Sequence, residues 1–175
     1  MSLVVFLKGI NVGGHRTFRP SVLASRLQHL DVVNVGAAGT FVVCKRIARA
    51  KLRAEITRHM PFVAEIIICD GADILHLVAR APFVGQPAGE GIVRFVSVLA
   101  RARSSAPRRL RLPSSGAWTV KMLGRQDRFV YGLHRREMKA IGQLVHLEKI
   151  LGAPMATRQW STIQTLARIL RDDWA

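Results

Sequence analysis

Leu3-Val4-Val5-Phe6-Leu7-Lys8, followed at once by Gly9-Ile10-Asn11-Val12-Gly13-Gly14, is a strand-length apolar run that breaks into glycine. Five consecutive apolar residues suit a strand buried on both faces, and the glycines beyond Lys8 stop it. Further along, Pro20 suits a first helical turn and Leu23, Leu27 and Leu30 share one face, which predicts a helix over Pro20–Leu30. Asp31–Ala37 and Thr40–Cys44 read as two strands joined by a tight hairpin at Ala38-Gly39. A second helix over Ile47–Met60 turns Leu52, Ile56 and Met60 inward and Arg46, Arg49 and Arg53 outward, and Pro61 ends it. Phe62–Cys69 then reads as a strand. The order β-α-β-β-α-β is that of the ferredoxin-like split βαβ arrangement.

A short helix over Asp70–Arg80 and a Gly- and Pro-bearing linker over Pro82–Gly91 separate this half from a second. Ile92–Ala100 reads as a strand, Arg101–Pro113 as an arginine-rich connection, and Trp118–Leu123 with Arg128–Leu133 as a hairpin. A helix over Ile141–Leu151 stops at Gly152, a suitable C-cap. The closing helix, from Ser161 to Trp174, places Ile163, Leu166, Ala167, Leu170 and Trp174 on one face. The expected fold class is α+β: a ferredoxin-like half over residues 1–81, a linker over 82–91, and a less regular, pseudo-duplicated half over 92–175.

The composition, 49% hydrophobic over 175 residues, fits a folded chain rather than a disordered tail. No apolar run approaches the ~20 residues that span a bilayer, and the N-terminal run meets Lys8 with no cleavage-site pattern behind it. Two cysteines without an export signal point to free thiols and a cytoplasmic protein. The unusual feature is a formal charge of +16. Residues 1–87 carry 11 Lys/Arg against 5 Asp/Glu, and residues 88–175 carry 16 against 6, so the excess is spread along the chain. Such a field favours nucleic acid or phosphorylated small molecules as partners. Arginine outnumbers lysine 21 to 6, which compositional drift also explains.

In the split arrangement the first two strands run parallel with the third between them, so the loop leaving each lies at the same sheet edge. Lys8, Gly9, Asn11, Gly13, Gly14, His15 and Arg16 thereby join Gly39 and Thr40, beside the start of the first helix. Glycines allow backbone amides to approach a ligand, and a helix N-terminus favours negative charge. Arg19 adds a further cation. Arg158, just before the closing helix, is a second anion contact if that helix docks beside the loop. The expected activity is binding of an anionic ligand at this edge. The loop lacks both the P-loop ending and the dinucleotide spacing, so no cofactor is expected.

These residues also carry a family resemblance. Lys8-Gly9-Ile10-Asn11-Val12-Gly13-Gly14 resembles the Arg-Gly-Ile-Asn-Val-Gly-Gly signature of the bacterial domain-of-unknown-function 1697 family. Gly39-Thr40 resembles its Ser-Gly-Asn-Val-Val turn, Arg80-Ala81-Pro82-Phe83 its Asn-Pro-Phe, and Ala156-Thr157-Arg158-Gln159-Trp160-Ser161-Thr162-Ile163 its closing Thr-x-Arg-Asn-Trp-Asn-Thr-Val helix. The resemblance implies two ferredoxin-like halves and no established activity. Ala38, Thr40, Gln159 and Ser161 depart from the family pattern at polar positions.

Other chemistries find less support. Val5-Phe6-Leu7-Lys8-Gly9-Ile10 resembles the first-strand motif of RNA-recognition domains, which stack bases on exposed aromatics. Phe6 and Phe41 read instead as core, and the arginines at 101, 103, 108, 109 and 111 are the better polyanion contact. The six histidines form no metal-ligand pair on one helix, and Cys44 and Cys69 fall on non-adjacent strands, so no metal site is expected. Trp160 reads as an anchor for the closing helix. Two alternatives stand beside anion binding. One is an enzyme acting on a phosphorylated metabolite, with His15 as the acid–base candidate nearest the loop. The other is a protein–protein module using a basic helix face.

Overall fold

A computed structural model describes residues 1–11, 14, 17–103 and 105–174, with side chains through residue 172. The chain is α+β, with two antiparallel sheets and five α-helices among the described residues. The first sheet combines β1 (Leu3–Lys8), β2 (Val32–Asn34), β3 (Thr40–Val43) and β4 (Glu65–Asp70) in the order β2-β3-β1-β4. Helices α1 (Pro20–Arg26), α2 (Arg49–His59) and α3 (Gly71–Ala79) interleave with them. The third strand thus lies between the first two, as the split arrangement requires.

The second sheet holds β5 (Ile92–Leu99), β6 (Leu110–Leu112), β7 (Val120–Gln126), β8 (Phe129–Arg135) and β9 (Met155–Gln159), ordered β6-β7-β8-β5-β9. Helix α4 (Lys139–Leu151) precedes β9, and α5 (Trp160–Trp174) follows it. With β6 set aside, β7-β8-β5-β9 repeats the order β2-β3-β1-β4. What the second copy lacks is a helix after its first strand. There the arginine-rich connection supplies the short edge strand β6 instead.

The chain divides into two compact units, Met1–Val78 with Ser161–Ala175, and Ala79–Trp160. The closing helix therefore belongs with the first unit. Within that unit β1 is buried along both faces. Leu3, Val5 and Leu7 pack with Phe41, Val43, Ile66 and Ile68 against Leu23, Leu27, Leu52 and Ile56 of the helices. Val4, Phe6, Val42, Ile67 and Cys69, on the opposite face, are at most 1% exposed. Fully burying each such side chain contributes roughly 1.5–3 kcal/mol. Ile163, Leu166, Ala167 and Leu170 of α5 are buried as their spacing predicts, and the side chain of Trp174 lies outside the described residues.

Several boundaries differ from the sequence expectation for local reasons. Helix α1 stops at Arg26 because the chain tightens into a 3₁₀ turn over Gln28–Leu30, with Asp31 in the left-handed region. The β2–β3 connection runs from 35 to 39 rather than closing at Ala38-Gly39. Val35 N–H donates to the Thr40 carbonyl at 2.8 Å across it, and Gly36 and Gly39 both take positive φ. Strand β4 begins at Glu65, because Phe62 turns away to meet Phe18 edge-on at 6.2 Å. The outward arginines of α2 are engaged: Arg49 pairs with Asp70 at 2.5 Å, and Arg53 donates to the Ile66 carbonyl. The hydrogen bond to Asp70 holds the Arg49 guanidinium above its ordinary value. The stretch after α3, read as a linker, packs onto the second unit through Phe83, which is buried. Among the described residues, no helix is long and apolar enough to cross a membrane.

Two glycines give opposite expectations. A Cβ at Gly132 in β8 would collide with the Lys121 carbonyl oxygen and lie 2.9 Å from the Phe95 ring. Gly132→Ala should lose at least ~2 kcal/mol in a denaturant unfolding curve. Gly142 lies exposed inside α4 with nothing near its missing Cβ, so Gly142→Ala should gain about 0.5–1 kcal/mol in the same assay.

Candidate functional site

The two glycine turns of the first unit do meet at one sheet edge, and Asn11 is what joins them. Its Nδ2 donates to the carbonyls of Phe18 (2.9 Å) and Ala37 (3.4 Å), while its Oδ1 accepts from the Phe18 N–H at 2.8 Å. Leu7 N–H donates to the Gly39 carbonyl at 2.8 Å. Gly39 must be glycine, since at φ +72° a Cβ would lie 2.6 Å from Ile10 and 2.9 Å from Leu7. The amide of Asn11 is thus engaged in a clip between loops rather than left for a ligand.

The remaining candidates at this edge fall in different places. Gly9 and Gly14 take positive φ, and Gly14 is exposed. Lys8 is half-buried, opposite Glu65 in the β1–β4 register. Thr40 is fully buried inside the sheet, paired with Phe6. Gly13, His15 and Arg16 lie outside the described residues. The adjoining α1 has only seven residues, and no side chain caps its start. Phe6 and Phe41 are at most 2% exposed, so neither offers a ring for base stacking.

Arg158 lies in the second unit, on β9 beside Val96 of β5. It is buried, and its Nη1 donates to the Thr157 carbonyl at 2.9 Å. Burial pushes its guanidinium down to about 10, so it stays charged at neutral pH. Trp160 meets Phe83 edge-on at 5.0 Å, a packing contact.

The second unit holds a cleft that the sequence reading located only in part. Residues 101–136 carry ten Lys/Arg and a single acid, Asp127, a net +9 of the chain's +16. The antiparallel register sets Arg111 of β6 directly opposite Lys121 of β7, and continues the same row through Leu133 of β8 to Arg94 of β5. The other face of these strands carries Leu112, Val120, Met122 and Phe95 against Leu147 and Leu151 of α4. A cleft of about 480 Å³ opens beside the charged row, lined by Arg109, Arg111, Lys121, Tyr131, Gln86 and Pro82, among others. Among the described residues, no carboxylate lies within ion-pair distance of Arg109, Arg111 or Lys121.

The cleft's other wall is held in place by Arg94. Its Nη2 donates to the Gln86 carbonyl at 2.6 Å, and its guanidinium lies over the Phe83 ring at 5.8 Å. Phe83 in turn meets Tyr131 edge-on at 6.1 Å. A β-bulge between Met122 and Gly124 sets Tyr131 over Gly124, where its ring leaves no room for a Cβ. Gln86, Lys121 and Tyr131 escaped the sequence reading. Arg109 and Arg111, two residues apart in an arginine-rich run, were its one visible trace.

The clip at Asn11 is directly testable. Asn11→Ala should lower stability by about 1–2 kcal/mol and speed amide exchange across residues 36–40. Unchanged exchange there would mean the turn is held by other contacts.

Known proteins place the fold and the family. The conserved bacterial protein SP0830 from Streptococcus pneumoniae is similar at a TM-score of 0.55 and 13% identity, over 97% of this chain and 98% of that chain. At that identity the likeness shows the fold alone. No curated protein matches the sequence significantly. The family model described as a protein of unknown function, DUF1697, matches residues 1–117, from β1 through the glycine edge to β6 and its Arg111, and the chain belongs to that family.

Proposed function

We propose that this protein binds an anionic, phosphate-bearing ligand in the basic cleft of its second unit. The observation that carries the reading is the Arg111–Lys121 cross-strand pair. Like charges directly opposite each other in a sheet repel, by roughly 0.2–1 kcal/mol relative to a neutral pair. The apolar face of the same strands is turned toward α4, and the cations' own contacts, Arg111 Nη2 to the Gly116 carbonyl and the Lys121 ammonium over the Trp118 ring at 4.8 Å, bring neither of them a counter-charge. An anion between the two would convert the repulsion into a pair of charge-assisted hydrogen bonds. The surrounding net positive charge would draw such a ligand in.

A second reading keeps an anion at the glycine edge, with Lys8, Gly9, Gly14, Gly39 and Arg19 around it. It is favoured by the Asn11 clip, which holds the two turns together. Substitution separates the two sites. Pyrophosphate should raise the melting temperature of the native protein, and Arg111→Ala or Lys121→Ala should weaken its binding about 10–100-fold, as expected for loss of a charged hydrogen bond. Without ligand, each variant should lose no more than about 1 kcal/mol, since relief of the like-charge repulsion offsets loss of the Arg111–Gly116 hydrogen bond or of the Lys121–Trp118 contact. A stabilisation that survives both changes and is lost in Lys8→Ala or Arg19→Ala would move the site to the glycine edge.

A further inference from the structure

We infer that the ligand of the basic cleft is a nucleoside diphosphate, an identification that rests on the anion-binding reading above. The cations set the number of phosphates. Arg111 and Lys121 lie opposite each other across the strand pair, about 5 Å apart at Cβ; Arg111 Nη2 donates to the Gly116 carbonyl and the Lys121 ammonium lies 4.8 Å over the Trp118 ring, and their remaining donors are close enough to share one phosphate. Arg109 lies two residues back along the same chain, about 6.5 Å away in extended geometry and on the same face. That spacing suits the next phosphate. A diphosphate ester carries roughly −3 at neutral pH, with one charge on the inner group and about 1.5–2 on the terminal one. Three cations without a carboxylate partner match it.

The remaining space and its lining set what the phosphates are attached to. A cleft of about 480 Å³ falls within the range of roughly 300–1,000 Å³ that holds small organic ligands, and a diphosphate alone fills a small part of it. Away from the cations the lining is neutral, formed by Tyr131, Gln86 and Pro82 with the apolar Leu110, Met122 and Leu123. Among the described residues, neither the Tyr131 hydroxyl nor the Gln86 side-chain amide has a hydrogen-bond partner. An apolar ring surface beside two open hydrogen-bonding groups suits a sugar and base. A nucleic-acid strand needs cations that follow a groove past several phosphates. Here the three lining cations cluster on one wall, the facing turn of Pro82 to Gln86 has no charged residue of its own, and the Arg94 guanidinium behind it is engaged by the Gln86 carbonyl and the Phe83 ring.

Calorimetric titration of the full chain with ADP, GDP, CDP, UDP, their monophosphates, pyrophosphate and a single-stranded RNA of about twelve nucleotides would test this. At least one nucleoside diphosphate should bind ten-fold or more tightly than pyrophosphate and than its own monophosphate. Tyr131→Phe and Gln86→Ala should each weaken that nucleotide several-fold and leave pyrophosphate unchanged, whereas Lys121→Ala should weaken both. Pyrophosphate binding as tightly as every nucleotide would overturn the nucleoside assignment and leave the anion site standing. No binding of any phosphate would remove both. RNA binding more tightly than every mononucleotide, with affinity falling steeply in salt, would replace the assignment with a nucleic-acid interface.

Discussion

β7 lies close against β8 at Lys121 because β8 carries no side chain at Gly132. A Cβ there would meet the Lys121 carbonyl oxygen and the Phe95 ring, so β7 could not pass as close. The same condition recurs at Gly124, which lies under the ring of Tyr131 beside the bulge in β7. Two missing side chains thus let neighbouring strands close on each other and let an aromatic ring lie across them. The floor of the cleft is consequently fixed by backbone pairing rather than by adjustable side chains. An anion bound there, as proposed, would meet two cations whose backbone positions the strand pairing already sets.

The positive charge of the second unit has a structural origin beside the proposed use in binding. Where the first unit has a helix after its first strand, the second has an irregular connection whose carbonyls no helix satisfies internally. Arginine serves them instead. Arg125 donates to Arg103, Arg111 to Gly116, Arg128 to Leu99 and Ala100, and Arg135 to Trp118, in each case at a backbone carbonyl. A guanidinium has five donors and can engage a carbonyl while still facing solvent with others. Carbonyls carry no net charge, so among the described residues this clamping leaves Arg111 and Arg135 without a carboxylate partner. The ion pairs of the first unit, Lys45–Asp31, Arg49–Asp70 and Arg58–Glu55, show the contrasting solution, in which each cation meets a carboxylate.

Elements with strong periodicity or clear punctuation were readable from the chain itself. The apolar run of β1, the heptad-like face of α5 and the Gly152 cap of α4 all lie where their residues place them. Strands β6 and β9 were not readable, because Leu-Arg-Leu is too short to show a period and Met-Ala-Thr-Arg-Gln is too polar to look buried. Their identity comes from pairing with partners distant in sequence, β7 and β5. The meeting of the two glycine turns followed from topology alone. That Asn11 would use up its amide in holding them, or that Thr40 would point into the sheet, depended on side-chain geometry no motif encodes.

Repetition explains why the basic cleft was only half visible. The glycine loop follows the first strand of the first repeat, and the arginine-rich connection follows the first strand of the second. The two segments occupy equivalent places in the strand order. In the first repeat the segment leads to α1, and its sheet ends at the three-residue edge strand β2. In the second it contributes β6 beyond β7, extending the sheet by one strand and bringing Arg111 into register with Lys121. Reading charge and glycine along the chain therefore finds the right kind of segment in either copy. Only the extra strand decides which copy sets two cations side by side, and strand pairing across that distance is a property of the folded chain rather than of any local stretch.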